Sequence, residues 1–416
     1  MNGLSQKRYL ELPLPTEDDP RSDQQRILDS LAAAGVEERV HIPVHILRQL
    51  YPLLDNAKWK ITVSLAWNGE NWEMVEIEEG DTTAQHYGLA VDLGSTTVVA
   101  RLLDCNSGEI LKEVSSFNKQ IQWGTDILSR IFYCKDNKEK LEEVRRATVE
   151  SICECMDKLD ASHSALSMVI AGNTTMIHFL LGMDAFCVFY TPHAVHADRP
   201  GFQLARDLDI PLKGYVYCYP AKSNYLGGDI ISGMIDTELY KKNEISVFFD
   251  IGTNGELVIG NKEFLLCGAG AAGPALEGGV VRTGMRAEAG AVDEVKIRDG
   301  NIYVHVIGSH KEDSGSHEKN SGNHEDNSSG EEPQGICGSG IIDLIAELFL
   351  EGWIDIRGKF STEKSPLIQE RDNQLCVEYA PGLYFYQKDI DEFIRTKSAA
   401  HTMVEIMLRE SGLDLN

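Results

Sequence analysis

Two short stretches set the same chemical groups in the same order. Gly88–Ala100 reads GLAVDLGSTTVVA and Val247–Gly260 reads VFFDIGTNGELVIG. Each runs an apolar strand into Asp, Gly and a group of hydroxyl or amide side chains, then resumes as an apolar strand. Asp92, Gly94, Ser95, Thr96 and Thr97 occupy the first interruption; Asp250, Gly252, Thr253, Asn254, Gly255 and Glu256 occupy the second. Glycine lets a main chain approach an anion closely, and successive turn N–H groups form an anion-binding concavity. Ser95, Thr96, Thr97, Thr253 and Asn254 add side-chain hydrogen bonds. Asp92 and Asp250 would repel a bare phosphate, but they make sense with a Mg²⁺ between, held largely through waters. One such turn is common. Two in one chain, each set between apolar strands, point to two lobes related by duplication, each offering a hairpin to the phosphates of one nucleotide.

The surrounding elements must hold these turns. Residues 1–86 read as a small α+β domain: RSDQQRILDSLAAAG is an amphipathic helix stopped at Gly35, HILRQLYPLLDNA is a second helical stretch, and WKITVSLAWNGENWEMVEIEEGD alternates around Asn68-Gly69 as a hairpin does. No catalytic side chains gather there. From Tyr87 the pattern becomes α/β. Three strands follow one another, EKLEEVRRATVESICECMDKLDAS is a long helix, and LSMVIAGNTTMIHFLLG is a strand that breaks at Gly172-Asn173 and continues as a helix. IIDLIAELFLEGW and IDEFIRTKSAAHTMVEIMLRESG are later amphipathic helices. Within residues 308–334, GSHKEDS, GSHEKNS and GNHEDNS are imperfect repeats, and nothing apolar occurs before Pro333. That insertion cannot bury a core and is expected to be disordered.

The charge balance is 39 − 65 = −26 over 416 residues, with no basic stripe, which argues against nucleic-acid binding. Met1–Asp18 hold no apolar core of signal-peptide length, and no run approaches the ~20 apolar residues that span a bilayer. The nine cysteines are an odd number, scattered and without a C-x₂-C pair, as expected of reduced thiols in a cytoplasm. No membrane contact is expected.

The paired hairpins resemble the phosphate-1 and phosphate-2 motifs of the superfamily of actin, sugar kinases and heat-shock chaperones, with DLGST as the first and DIGTN as the second. Further stretches are similar to one branch of it, the ATP-dependent reductive activators of corrinoid proteins: NKQIQWGTDILSRI (Asn118–Ile131), AGNTTMIHFLLG (Ala171–Gly182), YLGGDIISGMI (Tyr225–Ile235), CGAGAAGPALEGGVVRTGMRAEAGAV (Cys267–Val292) and GICGSGIIDLIAEL (Gly335–Leu348). The similarity covers nearly the whole chain apart from the histidine repeats. It implies a two-lobed, ribonuclease H-like (actin/hexokinase-type) ATPase domain over 87–416, with a first lobe at about 87–245 and a second at about 246–416. It also implies ATP and Mg²⁺ as cofactors. The partner would be a corrinoid iron–sulfur protein or a corrinoid methyltransferase component, returned from the cob(II) to the cob(I) state. In that scheme Asp229, Glu256 and Asp250 serve catalysis, Asp229 or Glu256 by aligning water and Asp250 by positioning Mg²⁺ together with Asp92. Asp229, just after Gly227-Gly228, suits a helix N-terminus equally well. Asn173 or Thr174 reads as a helix cap, and His178 as a satisfied core histidine.

The resemblance has two departures. Members of that family begin with a plant-type [2Fe–2S] domain, whose closely spaced cysteines are missing here. No iron–sulfur cluster is therefore expected in this chain, and a separate ferredoxin-like protein would donate the electron. The family's second lobe closes with a glycine-rich turn on the adenosine, whereas this chain stops at Asn416 after its last helix, so that lobe is expected to be incomplete. A small-molecule kinase on the same fold, or a nucleotide-binding regulatory module without turnover, are the alternatives. Assembly as a homodimer is left open.

Overall fold

A computed structural model describes residues 3–124, 126–161, 164–224, 226–251, 255–270, 281–285, 287–308 and 332–413. The second turn at 252–254, the small-residue run at 271–280 and nearly all of the repeat insertion, 309–331, lie outside the described residues. The chain forms two compact units, Met1–Glu238 and Leu239–Asn416.

The first unit opens with β1 (Ser5–Glu11), α1 (Asp23–Ala33), β2 (Val40–His41), α2 (Val44–Leu47), α3 (Leu50–Asn56), β3 (Lys60–Trp67) and β4 (Trp72–Glu79). The strands lie in the order β1-β3-β4-β2. Ser22 starts α1 by accepting the Gln25 N–H, and Gly69 (φ +103°) lies in the turn between β3 and β4. Ile27 and Leu31 of α1 and Leu50 and Leu54 of α3 close over Ile61, Val63, Leu65 and Met74.

The larger sheet of this unit holds β5 (Tyr87–Leu93), β6 (Thr97–Asp104), β7 (Ile110–Phe117), β8 (Ala165–Gly172), β9 (Gly201–Leu204) and β10 (Tyr215–Cys218), in the order β7-β6-β5-β8-β10-β9. β5, β6 and β7 form an antiparallel meander; β8 returns parallel to β5, and β10 lies parallel to β8. Setting aside the antiparallel edge strand β9, the order is 3-2-1-4-5, the ribonuclease H-like arrangement. Its helices are α4 (Ile127–Cys134), α5 (Lys138–Lys158), α6 (Thr174–Leu180) and α7 (Gly228–Asp236). Val144, Ala147, Thr148, Ser151, Ile152 and Cys155 recur at helical spacing on α5 and form its buried face. They meet a core of Leu89, Val91, Leu93, Val98, Met168 and Ile170. The two sheets dock through buried Ala66, Val75 and Leu166, through Ser5 Oγ within 2.9 Å of His86 Nε2 and 3.1 Å of Ser167 Oγ, and through a 3.0 Å hydrogen bond from the Tyr215 hydroxyl to Glu73.

The second unit starts with another antiparallel meander, β11 (Ser246–Ile251), β12 (Gly255–Gly260) and β13 (Leu265–Gly270). It continues through β14 (Ala291–Arg298), β15 (Asn301–Val306), β16 (Gly335–Ile336), α8 (Gly338–Leu350), β17 (Ile368–Arg371), β18 (Gln374–Ala380), β19 (Leu383–Tyr386) and α9 (Gln387–Glu410). Strands β15-β14-β16 and β17-β18-β19 form two further small sheets. The apolar stripe of α8 (Ile341, Leu344, Ile345, Leu348) packs with Val292, Val295 and Phe385, while α9 sets Met403 and Met407 on Leu257, Ile259 and Leu266 of the meander. Among the described residues, no helix is long and apolar enough to cross a membrane.

Candidate functional site

The first turn closes between Leu93 and Val98, which pair across β5 and β6. A Cβ on Gly94 would lie 2.5 Å from the Thr97 carbonyl oxygen, so this tightness admits only glycine. The turn is then held through three of its four carbonyls. Asn118, fully buried, donates its Nδ2 to Gly94 O (2.9 Å) and its main-chain N–H to Thr96 O (2.9 Å). Arg130 donates Nη1 to Ser95 O at 2.5 Å. In a trans peptide the C=O and the following N–H point opposite ways. Tying back the carbonyls of Gly94, Ser95 and Thr96 therefore turns the N–H groups of Ser95, Thr96 and Thr97 to the other side, as a fan of donors suited to an anion.

The clamp has supports of its own. Asn118 accepts the Gln120 N–H (3.1 Å) and so starts the helical turn Lys119–Trp123, while Arg130 also donates Nε to Gly124 O (2.9 Å) and Nη1 to Gln120 Oε1 (3.2 Å). Trp123 stacks on Tyr133 with ring centroids 5.3 Å apart. Sequence reasoning gave Asn118, Gln120 and Arg130 no individual role. The available signal was an arginine placed in the apolar run DILSRIF, where only a residue with internal partners survives burial.

Beside the turn, Asp92 is exposed and pairs in register with Val99 and Ala171, and Leu93 pairs with Gly172. Asn173 then caps α6 by accepting the Met176 N–H at 3.0 Å, and the Thr174 hydroxyl donates to Ser223 O at 2.5 Å. Gly227 lies against this corner: a Cβ there would come within 2.5 Å of Gly172 O. Two residues onward, Asp229 Oδ1 accepts the Ile230 N–H (2.9 Å) at the start of α7. The first unit thus gathers Asp92, Gly94, Ser95, Thr96, Thr97 and Asp229 at the carboxyl ends of the parallel pair β5 and β8, the end where open α/β sheets bind ligands.

His178 has both ring nitrogens in use. Nδ1 donates to Thr174 O (2.7 Å), and Nε2 accepts the His196 N–H (3.2 Å). Burial holds its pKa below the ordinary histidine value. It is a satisfied core histidine with no lone pair to offer a metal.

In the second unit Asp250 sits opposite Glu256 across β11 and β12, so their side chains share a face of the sheet. Phe249, Leu257 and Ile259 take the alternate face, against α9. Gly255 is buried and pairs with Ile251, whereas Gly252, Thr253 and Asn254 lie outside the described residues. Two carboxylates at cross-strand spacing suit a divalent cation that keeps most of its waters. Among the described residues no group of three or more His, Cys, Asp or Glu converges on a point.

Three family models match successive segments: the RACo linker region at residues 1–84, the RACo middle region at 87–242, and the C-terminal domain of RACo, the ASKHA domain, at 244–416. The chain belongs to the RACo family. The RACo match carries with it the actin/hexokinase-type two-lobed fold class, a nucleotide- and metal-binding fold. Among RACo-like relatives, corrinoid activation enzyme RamQ of Eubacterium limosum is 33% identical over 281 residues, 66% of this chain and 44% of the relative. The [Co(II) methylated amine-specific corrinoid protein] reductase of Methanosarcina barkeri is 24% identical over 340 residues, 79% of this chain and 60% of that protein. A solved structure of a reductive activator for corrinoid, iron-sulfur protein matches 100% of this chain and 65% of its own, at 33% identity and a TM-score of 0.86. The chain therefore spans less than two thirds of the length of these relatives.

Proposed function

We propose that this chain is the ATP-binding and hydrolysing core of a reductive activator that helps return a corrinoid protein from the cob(II) to the cob(I) state. The observation that carries the reading is the uninterrupted succession of RACo linker, middle and ASKHA matches along the chain. The names of its relatives supply the substrate class: corrinoid activation, and reduction of a Co(II) corrinoid protein.

In this reading Gly94, Ser95, Thr96 and Thr97 hold phosphate oxygens through the donor fan of the first turn, and Gly252, Thr253, Asn254 and Gly255 do the same from the second. Asp92 in the first turn and Asp250 in the second are the residues that would hold a Mg²⁺, which would supply neutralisation of phosphate charge. Asp229, Asp250 and Glu256 align the water that attacks the terminal phosphorus, giving ADP and phosphate. Catalysis is then positioning and electrostatic stabilisation of the transferring group. Hydrolysis alters the surroundings of the corrinoid on the partner, and one electron from a separate low-potential, ferredoxin-like donor converts cob(II) to cob(I). No disulfide joins the cysteines among the described residues, in keeping with a cytoplasmic setting.

Calorimetric titration with Mg-ATP beside an Asp250→Asn control tests the nucleotide part. Binding that weakens in the variant is expected. Phosphate release is then followed with and without a corrinoid iron–sulfur protein. If the added protein forms no complex and leaves turnover unchanged, the partner assignment is wrong. A phosphorylated small molecule in an acceptor screen would redirect the reading to a kinase.

A further inference from the structure

Arg26 and Arg130 are both fully buried, and among the described residues only Arg26 of the two is salt-bridged. Arg26 reaches the Asp19 carboxylate at 2.6 Å. Among the described residues the hydrogen-bond acceptors of Arg130 are neutral: the carbonyls of Ser95 and Gly124 and the amide oxygen of Gln120. Its Nη2 is buried without a hydrogen-bond partner. The nearby Asp126 carboxylate is engaged as the cap of α4, accepting the Ser129 N–H at 2.8 Å and the Ser129 hydroxyl at 2.6 Å. Burial pulls the Arg130 guanidinium down to about 10, against the attraction of Asp126, so it remains charged at neutral pH.

A buried cation facing only neutral acceptors is costly, and an apolar side chain of similar volume would avoid that desolvation. What such a side chain could not do is grip Ser95 O and Gly124 O with one planar fork. We propose that Arg130 is the positioning residue of the phosphate turn, fixing the Ser95–Thr96 peptide with its N–H outward and placing a permanent positive charge behind the turn that is balanced when a nucleoside polyphosphate binds in front. This rests on the reading that the turn holds phosphate. It assigns the buried guanidinium to discrimination for polyphosphate over the nucleoside alone.

The test compares wild type with Arg130→Met and Arg130→Lys. Mg-ATP, inorganic pyrophosphate and adenosine are titrated separately, and each protein is melted without ligand. Arg130→Met is expected to lose about tenfold or more in affinity for Mg-ATP and pyrophosphate, since a hydrogen bond to a charged group is at stake. Its adenosine affinity stays close to wild type, while its unliganded melting temperature falls, since the acceptors on Ser95, Gly124 and Gln120 lose a donor. Arg130→Lys keeps the charge without the fork and recovers part of the loss.

Wild-type affinity for Mg-ATP in Arg130→Met would overturn the proposal. So would an equal fall in ATP and adenosine affinity, which is the signature of general loosening. If Arg130→Met does not fold, Arg130→Lys decides: an intermediate loss confined to the phosphate ligands supports the role, and wild-type binding refutes it. A wild type that binds neither Mg-ATP nor pyrophosphate would bring down the functional reading itself, a result distinct from any failure of Arg130.

Discussion

The backbone of Gly227 rests on Gly172, with room for no more than a hydrogen: a Cβ on Gly227 would stand 2.5 Å from the Gly172 carbonyl oxygen. This joint sets the residue that ends β8 against the residue that precedes α7, and it fixes the position of Asp229. Gly172 also pairs with Leu93, the last residue before the first turn. The candidate catalytic carboxylate and the candidate phosphate turn therefore refer to one shared corner.

Alanine at Gly227 meets backbone atoms that cannot yield as a flexible side chain would. Gly227→Ala is expected to destabilise the first unit by about 1–3 kcal/mol, the range for overpacking, and to lower ATP turnover by displacing α7. Urea melts and phosphate-release assays check both. An unchanged midpoint would mean that the joint is looser than described.

Asn118→Ala removes the Nδ2 donor from Gly94 O inside a buried site. The expected cost is about 1–3 kcal/mol, the range for a buried acceptor left unsatisfied. Mg-ATP affinity should fall with it, because the donor fan loses one of its anchors. Thermal melts with and without nucleotide separate the two effects.

Asp250 and Glu256 face each other across β11 and β12 and should act as one unit. Asp250→Asn and Glu256→Gln are each expected to weaken binding of Mg-ATP. If both hold the same ligand, the double variant should lose less than the sum of the two, by about 0.5 kcal/mol or more, the size of coupling between neighbouring residues. Strict additivity in a titration of the four proteins would show that the pair shares no ligand.

His178 gives a pH prediction. Its folded-state pKa lies below the ordinary 6.5 because burial disfavours the cation, with His196 adding to the effect and the Thr174 carbonyl and Asp184 opposing it. The unfolded chain thus takes up this proton first. The contribution to stability is complete above about pH 6.5 and is lost as pH falls below it toward the folded value. His178→Gln should lack that slope. His86, also depressed by burial, is common to both proteins and cancels in the comparison. Denaturant melts between pH 8 and 5.5 test it, and parallel curves would count against it.

Much of the local structure was legible in the sequence because it follows from periodicity and punctuation. β5 and β6 occupy the apolar halves of GLAVDLGSTTVVA, β8 breaks at Gly172-Asn173 into a helix capped by Asn173, and α1 ends just before Gly35. Cys155 and Cys337 are small buried residues, in line with their apolar or glycine-flanked settings. The clamp behind the first turn was not legible. Asn118 and Arg130 act on carbonyls at Gly94, Ser95 and Thr96, and no local pattern records which distant backbone oxygen a buried polar side chain will meet. The joint between Gly172 and Gly227 was hidden for the same reason. Two glycines are visible in YLGGDII, but their partner across the fold is not.

The order of the strands also has a consequence for how the protein comes into being. β5 and β6 are neighbours in the chain and can pair as soon as both exist, so the hairpin around Gly94 is available early in synthesis. Its supports arrive in stages: Asn118 and Arg130 first, then β8 after the whole of α5, and Gly227 only near the end of the first unit. Long-range pairings form slowly, since the intervening chain must be ordered before they repay it. A nascent chain therefore displays the turn well before it owns the grip, and the proposed capacity to hold an anion would be a late acquisition of folding.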